Sequence, residues 1–582
     1  MGVLRLFKYL LDKYPNIVVG YKKKFKKFDS SKPWESPEWF KSYNSDGLRN
    51  TENDEKCEIL MMDLNALFHP CCQKVYEYGS GLENVSFIMQ KKKKEMNSQE
   101  LEEMAFKMIC NKIMEVYHIS KPSKAIYLAV DSVAGSSKNS QQRQRRFRTA
   151  QSKVVNEYGF NSNSISAGTE FMDRLCKYIY NFILKKRKYD WKNLKIIFSD
   201  VNVPGEGEHK FVRYLETNRQ FKKITIYSPD ADLIMLGLTI KNSDVKILRE
   251  NVYDFVNADY FFVDINKLKG GVVRDLKSEN LNSPFSEEKI IRDYVFFSFM
   301  LGNDFLPHPN GLEISNKGID ILYQCYTHVY TEEGYLVGDY VNKIYVNKKP
   351  FIMLMEELAK LEPKMILDKS KHKNITMDKI LKNHIVRSEQ GDKIEFDAYR
   401  EEYYMKKFNL EHLKDRKSEL NQEIKKICRK YIEGMIYVLR YYFKGIPTFD
   451  WCYEYHYAPF FQDLLKTSIE MSKEEEGYPY YRIEFNPRKP LNLYESLMSV
   501  LPPSNYYLLP KNIEEQIKDK ILLDADFIEE FESDMDGKYQ EYEAISLVPF
   551  VSYDKIKKIF EGVSYTEEQE NKIKIGCVYE FK

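Results

Sequence analysis

The strongest constraint that this chain places on its own fold is a repeated pairing of a short apolar run with an acid at its far end. Asp63 closes ILMMD, and Asp131 closes IYLAVD. Glu206 and Glu208 lie in VPGEGEHK just after KIIFSD, and Asp230 and Asp232 follow ITIYSP. Runs rich in β-branched and aromatic residues predict strands over Glu58–Met62, Ala125–Val130, Leu194–Phe198, Ile224–Tyr227 and Val245–Leu248. Between them the spacing predicts helices such as Gln99–Val116 and Phe171–Lys186, and this alternation specifies an α/β fold built on a parallel sheet. Sites in such sheets form at the carboxyl ends of the strands, so acids far apart in sequence are expected to converge, together with Asp304 of LGNDFLPH.

A single acid after a strand reads equally well as the N-cap of the next helix, and Asp200 is best given to capping. Seven such acids exceed what capping needs. Crowded carboxylates repel one another, and their pKa values rise unless cations neutralise them. All-oxygen ligands suit Mg²⁺ or Mn²⁺ rather than zinc. Two such ions can activate a water and stabilise the leaving oxygen of a phosphodiester, so the acids predict a metal-dependent phosphoryl hydrolase. Gly205 and Gly207 around Glu206 allow close backbone approach. Asp230 and Asp232 are expected on an extended segment, facing different ions or with one behind the other.

The segment after Asp131, Lys138–Arg148, carries five basic residues and no acid. Lys138, Gln142, Arg145 and Arg146 share one helical face, suited to gripping phosphate by charge-assisted hydrogen bonds. Arg143 and Arg148 point elsewhere and are expected to follow the backbone of a bound strand. A solvated charged helix or a localisation patch is the alternative for the segment alone. A phosphate clamp beside a metal site implies recognition of a terminus, with cleavage one nucleotide in.

The chain of 582 residues is long enough for two or three domains. The divisions expected are 1–330, holding the acids and the basic helix; a variable connector, 331–395; a helical, aromatic second region, 396–510; and a tail or small subdomain, 511–582. A long amphipathic helix is predicted over Ser418–Lys444, ended by Gly445 and Pro447. Residues Lys22–Lys56 form a polar insert, with KKKFKK at Lys22–Lys27 read as a solvated loop and Lys91–Lys94 as a solvated helix face. No apolar stretch is long enough to span a bilayer, and MGVLRLFKYLLDKYP lacks the features of a signal peptide. Leu6 stands where N-myristoylation after Gly2 wants Ser or Thr. Nine cysteines without a C-x-x-C pair argue for reduced thiols and against structural zinc. A soluble, intracellular, monomeric protein is expected, cytoplasmic rather than nuclear.

Taken together, the motifs resemble the XRN-type 5′-to-3′ exoribonuclease family. DLNALFH (Asp63–His69), DSVAGSSKNSQQRQRRFR (Asp131–Arg148), FNSNSISAGTEFM, FSDVNVPGEGEHK, SPDADLIMLGL, ILREN and LGNDFLPH occur in the family's order. YIEGMIYVLRYYFKGIPTFDWCYEYHYAPF and LMSVLPPSNYYLLP resemble its second region. The resemblance implies an α/β nuclease core of PIN/FEN type with a parallel or mixed sheet flanked by helices, and a mostly helical second region packed against it. It implies metal ligands at Asp63, Asp131, Glu206, Glu208, Asp230, Asp232 and Asp304, holding two Mg²⁺ ions for which Mn²⁺ can substitute. It also implies 5′-phosphate contacts from Lys138, Gln142, Arg145 and Arg146, with stacking on the terminal nucleotide by His69 and Trp451. Ala66 replaces a usual Gly, Leu4 a usual Pro, and Gly135-Ser136-Ser137 alter the loop before Lys138. The reduced length after Leu509 suggests a compact or divergent form, viral or protist.

The expected activity is processive hydrolysis of single-stranded RNA bearing a 5′-monophosphate, releasing nucleoside 5′-monophosphates. The alternatives are a structure-specific 5′ flap DNA nuclease, which shares the acid layout, and a catalytically inactive RNA-binding scaffold.

Overall fold

The computed structural model describes residues 6–21, 56–79, 93, 95–151, 158–251, 259–277, 284–341, 343–371, 378–389, 391–522, 524–538 and 543–581. The polar insert lies outside these apart from Lys56, as do Gly2, Leu4, the basic run Lys22–Lys27 and all of Lys91–Lys94 except Lys93. Lys93 is fully buried and not solvated: its ammonium donates to the Lys74 carbonyl at 2.7 Å and to Glu77 at 2.9 Å.

The main sheet has eight strands: β1 (Val18–Tyr21), β2 (Ile59–Asp63), β3 (Ala125–Ala129), β4 (Lys195–Ser199), β5 (Lys223–Tyr227), β6 (Asp244–Glu250), β7 (Tyr260–Asp264) and β8 (Tyr579–Phe581). Their order is β1-β7-β6-β5-β2-β3-β4-β8. The inner five, from β6 to β4, pair in parallel. β7 and β1 extend one edge and β8 the other, all antiparallel. Every residue of β2 is buried, Ile59 and Met61 in one core and Leu60 and Met62 in the other. A parallel sheet covered on both faces reads as a continuous apolar run for this reason, which is why these strands were visible in sequence. After β4 the chain crosses back to place β5 on the other side of β2, so the order reverses at β2, and a ligand crevice is expected there.

Helices Ser98–Ser120 and Glu170–Arg187 cover one face. The second half supplies much of the other core, through helices Lys348–Ser370, Phe396–Lys407, Lys417–Lys444 and Phe461–Glu474. Residues 331–395 hold a hairpin, Val337–Tyr340 with Lys343–Val346, followed by that long helix Lys348–Ser370. The last sixty residues return to the first half, since β8 pairs with the β4 edge through Phe198, Ile197 and Ile196. Among the described residues no helix is long and apolar enough to cross a membrane. All nine cysteines are free; seven are buried, Cys452 is partly buried and Cys577 is exposed.

Helix Lys417–Lys444 carries Gly434 at its middle, where glycine is unfavourable by about 1 kcal/mol relative to alanine. A Cβ there would lie 2.6 Å from Leu306 and 2.8 Å from the Trp451 ring, so glycine lets this helix close onto the loop that carries Asp304. Gly434→Ala is therefore expected to destabilise the protein by about 1–3 kcal/mol through overpacking, despite its gain in helix propensity. A lower thermal midpoint checks this, and an unchanged or raised one would contradict the packing argument.

Candidate active site

The strand ends build the site. Asp63 is the last residue of β2, and Asp131 lies two residues beyond β3. Glu206 precedes, and Glu208 falls within, the helix Gly207–Thr217 after β4, while Asp230 follows β5. Asp304 comes from the loop after the helical turn Phe299–Leu301. All seven acids line one cavity of about 880 Å³. The segment at Asp230 differs from the extended reading: Asp232 opens the helix Asp232–Thr239, and Ala231 already has helical backbone angles. Both acids still reach the cavity.

Local hydrogen bonds aim these carboxylates. Asp131 Oδ1 accepts from the Gly207 amide at 2.7 Å, and Asp63 accepts from the Asn65 amide at 3.1 Å and from the Ser228 hydroxyl at 3.4 Å. The Asn65 side chain in turn accepts from the Asp131 amide at 2.9 Å. Gly205, at a φ of 108°, turns the chain into this arrangement in a conformation other residues avoid. Lys210, fully enclosed, donates to the carbonyls of Val130 at 2.6 Å and Asp200 at 3.2 Å and so ties the ends of two acid-bearing strands together. Burial lowers its pKa to about 8. Asp200 itself is turned to the Asn202 amides at 2.9 Å, a local turn contact.

Electrostatics define what the cluster requires. Burial and then mutual repulsion raise the pKa values of Asp63 (from Asp131 and Asp230), Asp131 (from Glu206) and Glu208 (from Glu206). Asp232 is raised to about 7 by burial and by Asp304. Lys138 answers part of this charge: its ammonium bridges Glu206 at 2.5 Å and Asp304 at 2.6 Å. Burial alone would raise Asp304, but Lys138 holds it below the ordinary carboxylate range. Among the described residues no three acidic, His or Cys side chains sit close enough to hold an ion as they stand. The cavity's donor set is nevertheless carboxylate oxygen throughout, and mutual repulsion is relieved by a hard divalent cation. The residues fit such a group in their chemistry.

The basic helix, Ser136–Gln151, divides its side chains among three faces. Lys138, Gln142, Arg145 and Arg146 line the same cavity as the acids, with Lys138 nearest them. Arg146 donates to Ser166 at 2.8 Å and to the Gln142 amide oxygen at 3.3 Å. Arg143 and Arg148 do not line the cavity that holds the acids. Arg143 is 2% exposed and donates to the carbonyls of Ser499 (3.0 Å), Asp526 (2.6 Å) and Pro549 (3.2 Å). Arg148 donates to the Ala544 carbonyl at 2.6 Å and the Ser546 hydroxyl at 2.9 Å. Their positions in the helix turn them onto the last part of the chain, which sequence spacing could not reveal. The altered loop before Lys138 has its own anchor: the Ser136 amide and hydroxyl donate to the Phe449 carbonyl at 2.8 and 2.9 Å.

His69 lines the cavity with its ring open to the cavity space but set deep in the molecule; burial, then Arg145 and Arg146, lower its pKa to about 4. Trp451 is not brought to the same place. It is 7% exposed, absent from the cavity wall, and stacks on Tyr437 with ring centroids 4.5 Å apart. The residue that sequence reasoning missed is Tyr441 of the long helix. Its hydroxyl donates to Glu206 Oε1, and its ring packs on His209 at 3.7 Å. One tyrosine among 44 carries no signal in sequence alone.

Two family descriptions match the chain: "XRN 5′-3′ exonuclease N-terminus" over residues 1–251, and "Xrn1 helical domain" over residues 284–396 and 371–575. The chain is 25% identical to the 5′-3′ exoribonuclease 2 of Debaryomyces hansenii, covering 96% of this chain and 70% of that protein. It is 26% identical to the 5′-3′ exoribonuclease 2 homolog of Drosophila melanogaster, with coverage of 96% and 70%. Against the 5′-3′ exoribonuclease 1 of Homo sapiens identity is 27%, covering 78% of this chain and 30% of that protein.

Groups that orient metal-binding carboxylates typically set affinity by 10–100-fold, so Tyr441→Phe is expected to weaken divalent-ion binding by about that factor while keeping the ring packing. Calorimetric titration with Mn²⁺ checks it, alongside a thermal midpoint close to that of the wild type.

Proposed function

The chain belongs to the XRN 5′-3′ exonuclease family, and from that premise we propose that it is a 5′-3′ exoribonuclease acting processively on single-stranded RNA with a 5′-monophosphate. The observation that carries this reading is the sharing of one cavity by seven carboxylates and the cationic face of the basic helix. Gln142, Arg145 and Arg146 bind the terminal phosphate through amide and guanidinium donors. His69, kept neutral by its low pKa, offers a ring face to the first base without reading its identity. Trp451 supports from behind, packing on Tyr437 beneath the long helix.

Asp63, Asp131, Glu206, Glu208, Asp230, Asp232 and Asp304 would hold two divalent cations, Mg²⁺ by preference with Mn²⁺ able to replace it. When bound, such ions supply Lewis acidity that activates water and stabilises the leaving oxygen. Lys138, placed between Glu206 and Asp304, pairs with both carboxylates, holds Asp304 in its ionised form and puts a positive charge at the edge of the acid cluster. Tyr441 fixes Glu206 from the second region, so both halves of the chain contribute to one reacting centre. The chain works as a monomer in this reading, and a cytoplasmic setting follows no feature beyond the sequence expectation.

A flap DNA nuclease shares the acids, but the match to the helical domain across residues 284–575 counts against it. An inactive scaffold has no need of seven carboxylates in one cavity.

One RNA prepared with 5′-hydroxyl, monophosphate, triphosphate or cap is the test. The monophosphate form should be degraded fastest, and EDTA should stop degradation. Charged hydrogen bonds contribute about 1.5–3 kcal/mol, so Arg146→Ala should reduce the preference for monophosphate over hydroxyl by about 10–100-fold. Equal rates on all four ends, or activity undiminished in EDTA, would overturn the reading.

A further inference from the structure

The basic helix borders two cavities. Ser137, Ser140, Gln141, Gln144 and Arg148, on a different face from the phosphate-binding side chains, open onto a second cavity of about 580 Å³. That volume falls within the roughly 300–1,000 Å³ typical of small-molecule sites. Asp304 lines both spaces. On the side of the main cavity Lys138 holds Asp304 Oδ2 at 2.6 Å, and on the other the Gln141 amide donates to Oδ1 at 3.1 Å. The side chains of Lys138, Asp304 and Gln141 therefore form the divide between the acid cluster and the second cavity.

The wall of this cavity suits a nucleotide. Tyr455, Tyr457 and the His456–Phe550 pair, whose centroids are 4.6 Å apart, provide ring faces. Base–ring stacking is tolerant of sequence, as a product of mixed RNA requires. Gln141 Oε1 and His456 Nδ1 are buried without a hydrogen-bond partner in the protein. Both side chains belong to the cavity wall, which therefore carries an amide and an imidazole beside its rings. Of the four carboxylates at its wall, Asp304, Glu313, Asp536 and Glu543, the first three have cations on them: Lys138 on Asp304, Lys369 and Lys538 on Glu313, and Lys407 on Asp536. A phosphate entering beside Arg148 does not meet a bare acidic surface.

We propose that this second cavity receives the nucleoside 5′-monophosphate product, giving it a way out past Asp304 while RNA still fills the main cavity. The inference rests on the exoribonuclease reading. A processive enzyme keeps its substrate in the entrance between cleavages, so the cut nucleotide needs a route that the remaining RNA does not block. The cavity lies one side chain from the carboxylates at which the nucleotide is cut.

Gln144→Trp would fill the cavity from a position that does not line the main site, and Ser315→Trp would plug it at its exposed rim. Acid-quenched time courses on 5′-monophosphate RNA count each nucleotide once cut, whether or not it has left. The first nucleotide should form within about twofold of the wild-type rate in both variants, while later ones slow about tenfold because departure becomes limiting. Later nucleotides at the wild-type rate in a variant with a normal thermal midpoint overturn the proposal, and so does an equal loss in first and later steps. If the wild type forms no first nucleotide, the exoribonuclease reading itself fails and takes this inference with it.

Discussion

The structure turns on a single ammonium. Lys138 of the basic helix meets Glu206 from the end of β4 and Asp304 from the loop after Phe299–Leu301. Three segments far apart in the sequence are joined where negative charge is densest. Without cations, carboxylates buried at this density are driven toward their neutral forms, as the raised values of Asp63, Asp131, Glu208 and Asp232 show. Lys138 covers two of the acids and leaves the others dependent on ions from outside.

The basic helix can hold that lysine in place because its other faces are committed. Arg143 donates to three backbone carbonyls, and Phe147, 1% exposed, packs edge-on to Phe531. Arg148 reaches Ala544 and Ser546. Backbone carbonyls are fixed points, so these contacts set the rotation of the helix and with it the direction of Gln142, Arg145 and Arg146. The charge on this helix thus does two jobs, phosphate binding on one face and docking on another.

Much of the fold was legible because physics left a one-dimensional trace. Four of the five inner strands are buried nearly throughout, and each of the predicted runs overlaps an observed strand. β1, β7 and β8 went unread: β1 and β8 are only four and three residues long, and each of the three is defined by its antiparallel partner more than by its own pattern. At the site, the convergence of the acids followed from strand polarity, and the phosphate-binding face from helical spacing. Asp232 was placed on an extended segment because D-A-D two apart reads that way, whereas the helix starts at Asp232 itself. Trp451 was expected at the nucleotide, but the tight crossing at Gly434 draws its ring into the core. Lys93 shows the same limit, since a lysine run looks solvated until a helix C-terminus and a glutamate are found around one of its members.

The return of the chain to its starting sheet explains why the C-terminal part cannot be treated as an appendage. Asp526 and Pro549 receive Arg143, Ala544 and Ser546 receive Arg148, and β8 then completes the sheet against β4, the strand whose end carries Glu206 and Glu208. A force on this segment is transmitted both to the helix that presents the phosphate-binding residues and to the strand that presents the acids. The same segment contributes Asp536, Lys538 and Phe550 to the second cavity. Substrate grip, carboxylate placement and the proposed product route therefore share one structural element, so changes in residues 524–581 should reach all three without touching any residue of the reacting centre.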